Sequence, residues 1–167
     1  KKCKQEKRPA LITYIVAGDN TKNTSLKILN SISKHADILE LGIGHNCPVA
    51  DVNQIQNSSY RALKNGITLK DTFDIVKNFK KNNSNKPIIL MGYYNLIYQM
   101  GENKFLKNCK TAGVDGCIVV DLPFPENKKF ALKCKKKSIN FIQLLSPTTS
   151  KDRMKKIIKE SHDMIYY

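Results

Sequence analysis

The sequence lacks an apolar run long enough to cross a membrane, and its start, Lys1-Lys2-Cys3-Lys4, lacks the apolar segment of a signal peptide. Its five cysteines are odd in number, scattered and without the paired spacing of a metal site. Only His35, His45 and His162 could assist them. These absences predict reduced thiols in a cytoplasmic protein, no bound metal and no membrane association.

Arginine is also scarce, and this bears on the formal net charge of +15. Apart from Arg8, Arg61 and Arg153 the basic residues are lysines, which fall largely on the predicted outer faces of helices. Asparagine and isoleucine are abundant as well, and all three residue types have AT-rich codons. Proteins that read bases favour arginine and stacking aromatics, and aromatics do not interleave with these basic runs. We therefore predict a solvated lysine-rich surface rather than a nucleic-acid site.

What the chain does contain is a regular alternation of short apolar runs and amphipathic helical patterns. The 167 residues suffice for one domain with a real core. The pattern predicts strands over 10–17, 37–43, 87–93, 116–121, 140–146 and 164–167. It predicts helices over 24–34, 54–64, from 68 onward, 101–112, 125–137 and 150–160. Such alternation predicts a single α/β domain over 1–167, with a parallel sheet and right-handed crossovers.

Two architectures fit this alternation: an open doubly wound sheet and a (β/α)8 barrel. A doubly wound dinucleotide-binding sheet should carry a glycine-rich turn after its first strand, and Ala17-Gly18-Asp19-Asn20 lacks that spacing. Polar or distinctive residues instead follow the carboxyl ends of several strands: Asp19, Glu40, Asp51, Tyr93, Asn95, Asp121 and Ser146. Because barrel active sites are built from the loops at those ends, this distribution favours the barrel.

Glu40 is the most unusual of these residues, since it interrupts an apolar run that is typical of a buried parallel strand. A buried carboxylate without a partner is costly. Asp51 follows in a loop eight residues after the strand, so the two can form an acid/base pair. From these residues alone, two alternatives stay open: an ion pair for Glu40, and a helix N-cap for Asp51.

The motifs, taken together, resemble the tryptophan synthase alpha subunit family. In the second-strand region these are Leu39-Glu40-Leu41-Gly42-Ile43, Pro48-x-Ala50-Asp51, Ile55-Gln56 and Arg61-Ala62-Leu63-x-x-Gly66. Elsewhere, in the family's order, they are Ala17-Gly18-Asp19, Leu90-Met91-Gly92-Tyr93-Tyr94-Asn95, Gly113-Val114-Asp115-Gly116, Val120-Asp121-Leu122-Pro123, Ser146-Pro147-Thr148-Thr149 and Ile165-Tyr166-Tyr167. The resemblance covers nearly the whole chain.

The resemblance implies a (β/α)8 TIM barrel that cleaves indole-3-glycerol phosphate to indole and glyceraldehyde 3-phosphate, in the last steps of tryptophan biosynthesis. It implies no metal or organic cofactor in the alpha subunit, with pyridoxal phosphate (PLP) expected only in the partner beta subunit of an alpha2beta2 assembly. By motif match, Glu40 would be the mobile general acid/base and Asp51 the partner of the indole N–H.

The resemblance also assigns roles to further residues. Asp121 would help to position the active-site loops. The indole pocket would be lined by Tyr14, Met91, Tyr93, Ile118, Val120, Leu144 and Tyr166. For the apolar members of this set, a purely structural place in the barrel core stays open.

The chain departs from the family pattern in one loop and in its length. Gly44-His45-Asn46-Cys47-Pro48 stands where many members carry Pro-Phe-Ser-Asp-Pro, and Val52-Asn53 replaces a Gly-Pro pair. A closed barrel takes about 250 residues. We therefore expect the first six βα units here, an inactive N-terminal two-thirds of a barrel whose phosphate-binding loops lie beyond Tyr167. Two alternative functions remain: a catalytically weakened regulatory partner of a beta subunit, and another phosphate-binding barrel enzyme.

Overall fold

The computed structural model of the chain describes residues 2–161 and 164–167. His162, considered above as a metal ligand, lies outside these residues. Within them, no helix is both long and apolar enough to cross a membrane, and no three His, Cys, Asp or Glu side chains gather to hold a metal ion. All five cysteines are described, and each is a free thiol.

The strands pair in chain order. A five-stranded parallel sheet contains β1 (Ile12–Val16), β2 (Ile38–Gly42), β3 (Ile88–Gly92), β4 (Gly116–Val119) and β5 (Asn140–Phe141). A smaller parallel pair joins β6 (Gln143–Leu144) to β7 (Ile165–Tyr166). Each strand of the larger sheet lies beside its sequence neighbour, without the reversal of order that defines a doubly wound sheet. The open-sheet alternative is thereby excluded.

One helix precedes β1, and the others lie in the connections between strands. Their bounds are α1 Lys2–Gln5, α2 Lys22–Ile32, α3 Asn53–Lys64, α4 Leu69–Asn82, α5 Tyr94–Met100, α6 Glu102–Ala112, α7 Lys128–Lys136 and α8 Lys151–Glu160. Helix α4 begins at a capping box in which Thr68 and Asp71 satisfy each other's backbone N–H groups. Helix α6 ends at Gly113, whose φ of +89° is a left-handed conformation that favours glycine.

The structure differs from the predicted elements in two main places. Helix α5 was not expected, because its N-terminus is capped from a distance: Asp121 Oδ1 accepts from the Tyr94 N–H at 2.6 Å. The predicted strand over 140–146 is divided into β5 and β6. Ile142 N still donates to Cys117 O of β4 at 2.9 Å, whereas Leu145 N donates to Tyr166 O of β7 at 2.8 Å. The chain therefore changes pairing partner along this stretch.

The two faces of the sheet bury different side chains. The outer face packs against the helices in a large apolar core that includes Leu39, Leu41 and Phe105. The inner face carries a smaller cluster centred on Ile89, Ile118 and Ile142. Because Glu40 pairs in register with Ile89 and with Tyr14, and paired residues of parallel strands face the same side, Glu40 lies on the inner face.

Candidate functional site

A cavity of about 780 Å³ opens at the carboxyl ends of the strands. Seven of the ten residues predicted for the site line it: Tyr14, Glu40, Asp51, Met91, Val120, Leu144 and Tyr166. These residues come from β1, β2, β3, β6, β7 and the connecting loops. The parallel sheet therefore brings together side chains that lie far apart in sequence, at the end of the fold where barrel enzymes carry their active sites.

Glu40 is buried in the wall of this cavity, with an exposed fraction of only 3%. Its Oε1 atom has no hydrogen-bond partner, and no cation among the described residues forms an ion pair with it. Burial raises the pKa of Glu40 to about 7. Among the described residues, Glu40 therefore has no partner for the ion pair that the sequence left open. Its carboxyl lies in the cavity wall and can both donate and accept a proton near neutral pH.

Gly42 leaves the space that Tyr14 occupies beside Glu40. A Cβ atom at Gly42 would lie 2.0 Å from the Tyr14 hydroxyl oxygen, so any larger residue would displace the ring. Burial raises the pKa of Tyr14, and the charges of Asp51 and Glu40 raise it further. Tyr14 pairs in register with Glu40, and both residues line the same cavity as Asp51.

The loop that carries Asp51 is held against Tyr93. The Tyr93 hydroxyl accepts from Ala50 N at 3.1 Å and donates to Asp51 Oδ2 at a longer 3.4 Å. Burial raises the pKa of Asp51 above its usual value, although the hydrogen bond from Tyr93 opposes this. The N-cap alternative for Asp51 is wrong, because the N-cap position of α3 is Val52. Asp51 lines the cavity instead of capping the helix.

Tyr93, Ile118 and Asp121 do not line this cavity. Tyr93 is only 5% exposed and contacts the Asp51 loop instead of the open space. Ile118 is 1% exposed and belongs to the inner apolar cluster. It therefore has the structural role in the core that the sequence left as an alternative to ligand contact. Asp121 caps α5 and so connects the loop after β4 to the end of β3. Its role in positioning the active-site loops stays a prediction.

The lining of the cavity also contains residues for which the sequence predicted no role in the site. Asn127 Nδ2 donates to Gln143 Oε1 at 2.8 Å, with both side chains at least 97% buried. Arg153 donates to the carbonyl of Phe124, and both residues line the same cavity. No local pattern predicts these contacts, since each joins residues 16 or 29 positions apart.

A second group that the sequence did not predict surrounds His45, in the loop between β2 and α3. The imidazole stacks on the Tyr93 ring, with centroids 4.5 Å apart and planes inclined by 23°. His45 Nδ1 accepts from Cys47 N at 3.1 Å, and Nε2 lies 3.0 Å from Asn95 Oδ1. The loop after β2 is thus attached to the segment after β3.

Comparison with known proteins identifies relatives over the whole chain. A family model described as tryptophan synthase alpha chain matches residues 1–167. The tryptophan synthase alpha chain of Pelagibacter ubique (strain HTCC1062) is 70% identical over 167 residues, which are 100% of this chain and 63% of that protein. The chain therefore spans somewhat under two-thirds of this curated relative.

Solved structures agree with the fold. In the tryptophan synthase a2b2 complex from Pyrococcus furiosus, one chain is 42% identical, with a TM-score of 0.91 over 94% of this chain and 63% of that chain. The alpha chain from Legionella pneumophila subsp. pneumophila is 36% identical, with a TM-score of 0.93 over 99% of this chain and 63% of that chain. Together with the sequential strand order, these matches confirm the predicted barrel architecture for the stretch that the chain spans.

Proposed function

The chain belongs to the tryptophan synthase alpha chain family, and we propose that the protein that carries it cleaves indole-3-glycerol phosphate to indole and glyceraldehyde 3-phosphate. The observation that carries the proposal is Glu40: a buried carboxyl without a partner, with a pKa of about 7, in the wall of a cavity that also receives Asp51. A carboxyl in that environment is suited to general acid–base chemistry.

The proposed reaction needs only proton transfers and the cleavage of one carbon–carbon bond. A proton added at indole C3 produces the indolenine tautomer, and the hydroxyl on the adjoining side-chain carbon loses a proton. The electrons of the bond between C3 and that carbon return to the ring, which releases indole. The carbon–oxygen bond becomes the aldehyde carbonyl. One proton is gained and one is lost, so a single carboxyl that is half protonated near neutral pH can serve both transfers.

Asp51 supplies the second carboxylate. Positive charge develops at the indole nitrogen when C3 is protonated, and a carboxylate beside the N–H stabilises it. The Tyr93 hydrogen bond favours the ionised form of Asp51, although burial leaves its pKa above the usual value. Tyr14, Met91 and Leu144 line the same cavity and provide apolar surface for a planar indole ring.

The proposal assigns no metal and no organic cofactor to this subunit, because the proton transfers and bond changes balance without one. We propose a PLP-containing beta subunit as the partner, in an alpha2beta2 assembly, and the cytoplasm as the place of action. The similarity to a chain of the Pyrococcus furiosus a2b2 complex supports the choice of partner.

The test is indole release from indole-3-glycerol phosphate by the protein that carries this chain. Glu40→Gln keeps the shape of the side chain but removes the titratable proton. It should lower kcat by roughly 10²–10⁴-fold or more, which is the usual contribution of general acid–base catalysis. Asp51→Asn should also lower kcat. The matched control is Glu126→Gln, an exposed carboxyl that does not line the cavity, which should leave kcat unchanged.

Indole release that survives Glu40→Gln at the unmutated rate would refute the assigned chemistry. Assays with and without beta subunit separate the enzyme from a purely regulatory partner. A regulatory partner would stimulate the beta subunit without releasing indole, whether alone or in the complex.

A further inference from the structure

The loop that carries Asp51 buries little surface of its own. Val49 is 78% exposed and Val52 is 65% exposed, and residues 46, 47 and 50 are exposed as well. Burial therefore does not fix the path of the chain between β2 and α3. The contacts that do so must come from side chains at the edges of the loop.

His45 makes three such contacts at once. Its Nδ1 accepts from the N–H of Cys47, two residues further on, which closes the first turn of the loop. Its Nε2 meets Asn95 Oδ1, and its ring lies flat on Tyr93. The hydroxyl of that tyrosine holds Ala50 N and Asp51 Oδ2 on the far side of the loop. The polar and stacked contacts form a continuous path from Asn95 to the carboxylate.

The contacts also determine which form of the imidazole is present. An Nδ1 atom that accepts from a backbone N–H carries no proton. The proton of the neutral ring must then be on Nε2, which donates it to Asn95 Oδ1. Only this neutral tautomer satisfies both hydrogen bonds.

We propose that His45, as its neutral Nε2–H tautomer, is a positioning residue that anchors the Asp51 loop to Tyr93 and to the start of α5. The role rests on the proposed function, because it acts through Asp51 and touches no substrate. Through these contacts His45 attaches the loop after β2 to the segment after β3.

A set of substitutions separates the contacts. His45→Ala removes all of them. His45→Asn keeps an acceptor for the N–H of Cys47, as in an Asx turn, but loses the stacking on Tyr93. His45→Phe keeps the stacking but loses both hydrogen bonds. The matched control is His35→Gln, an exposed histidine outside the cavity.

In the protein that carries this chain, His45→Ala should lower kcat for indole release by about tenfold, within the roughly hundredfold that a misplacement of ~1 Å can cost. Amide hydrogen exchange over residues 46–52 should speed up by a similar factor, because Cys47 N loses its acceptor and the imidazole no longer stacks on the Tyr93 ring whose hydroxyl accepts from Ala50 N. The melting temperature should not change, since the loop is largely exposed. His45→Asn and His45→Phe should fall between His45→Ala and the unmutated protein, and His35→Gln should match the unmutated protein.

Nitrogen-15 spectra give a readout that does not depend on activity. At about pH 8 the His45 ring should show a protonated Nε2 and an unprotonated Nδ1. A ring that averages between tautomers, or a His45→Ala variant with unchanged kcat and unchanged exchange, would overturn the proposal. If the unmutated protein released no indole, the proposed function would fail, whereas the tautomer and the exchange rates would still decide whether His45 anchors the loop.

Discussion

Replacing Glu40 with glutamine should stabilise the protein at alkaline pH while it lowers kcat for indole release by roughly 10²–10⁴-fold or more. Glutamine has nearly the same shape as glutamic acid but never ionises. Glu40 is 3% exposed and has no hydrogen-bond partner for Oε1, so its charged form has lost hydration without compensation. The substitution removes this electrostatic cost together with the catalytic proton.

The size of the effect follows from the pKa of Glu40, which burial raises from 4.5 to about 7. Below pH 4.5 the carboxyl is protonated in both the folded and the unfolded chain, and it costs nothing. Between these two pH values only the unfolded chain has lost the proton, so stability falls as pH rises. Above pH 7 the full cost is present. Raising the pKa from 4.5 to about 7 costs about 3 kcal/mol once the carboxyl is ionised, at ~1.36 kcal/mol per pH unit.

The measurement is the free energy of unfolding from urea titrations of both proteins at about pH 4 and about pH 8. The stability of Glu40→Gln relative to the unmutated protein should increase by about 3 kcal/mol between the two pH values. Packing differences and all other titrating groups cancel in this comparison. An unchanged difference would refute the claim that Glu40 is buried and neutral near pH 7, and with it the acid/base assignment.

Three further substitutions test other parts of the site and fold. Gly42→Ala should cost about 1–3 kcal/mol of unfolding free energy and raise the KM for indole-3-glycerol phosphate, because the new methyl group displaces Tyr14; urea titration and steady-state kinetics check this. Tyr93→Phe should lower kcat and cost about 1 kcal/mol, since the loop that carries Asp51 loses its hydroxyl partner; an unchanged kcat would contradict that role. Thr68→Ala removes the capping box of α4 and should lower the melting temperature by about 2–4 °C without any change in indole release, as calorimetry and the same assay would show.

Features that depend on neighbouring residues were predicted well. The strand around Glu40 was expected over 37–43 and is observed as Ile38–Gly42. The helix expected to open at Thr68 begins at Leu69, with Thr68 as its N-cap. In both cases the signal is local: an apolar run in the first, and apolar residues at helical spacing (Leu69, Phe73, Val76 and Phe79) in the second.

Features that depend on distant partners were not predicted. Helix α5 is stabilised at its start by Asp121, 27 residues further along the chain. The predicted strand over 140–146 divides because its two halves hydrogen-bond to different strands. The ring of His45 finds its partners 48 and 50 positions away, at Tyr93 and Asn95. The local sequence pattern does not predict contacts between residues so far apart in the chain.

By itself the sequence determined the alternation of strands and helices, the place of Glu40 in a buried strand and the family motifs. These follow from side-chain periodicity and local hydrogen bonding, which act over a few residues. Only the tertiary structure decided the sequential order of the strands, the absence of a partner for Glu40, the core position of Ile118 and the attachment of the Asp51 loop. Each of these depends on strand pairing and on contacts between distant segments. The desolvation that raises the pKa of Glu40 therefore exists only in the folded chain.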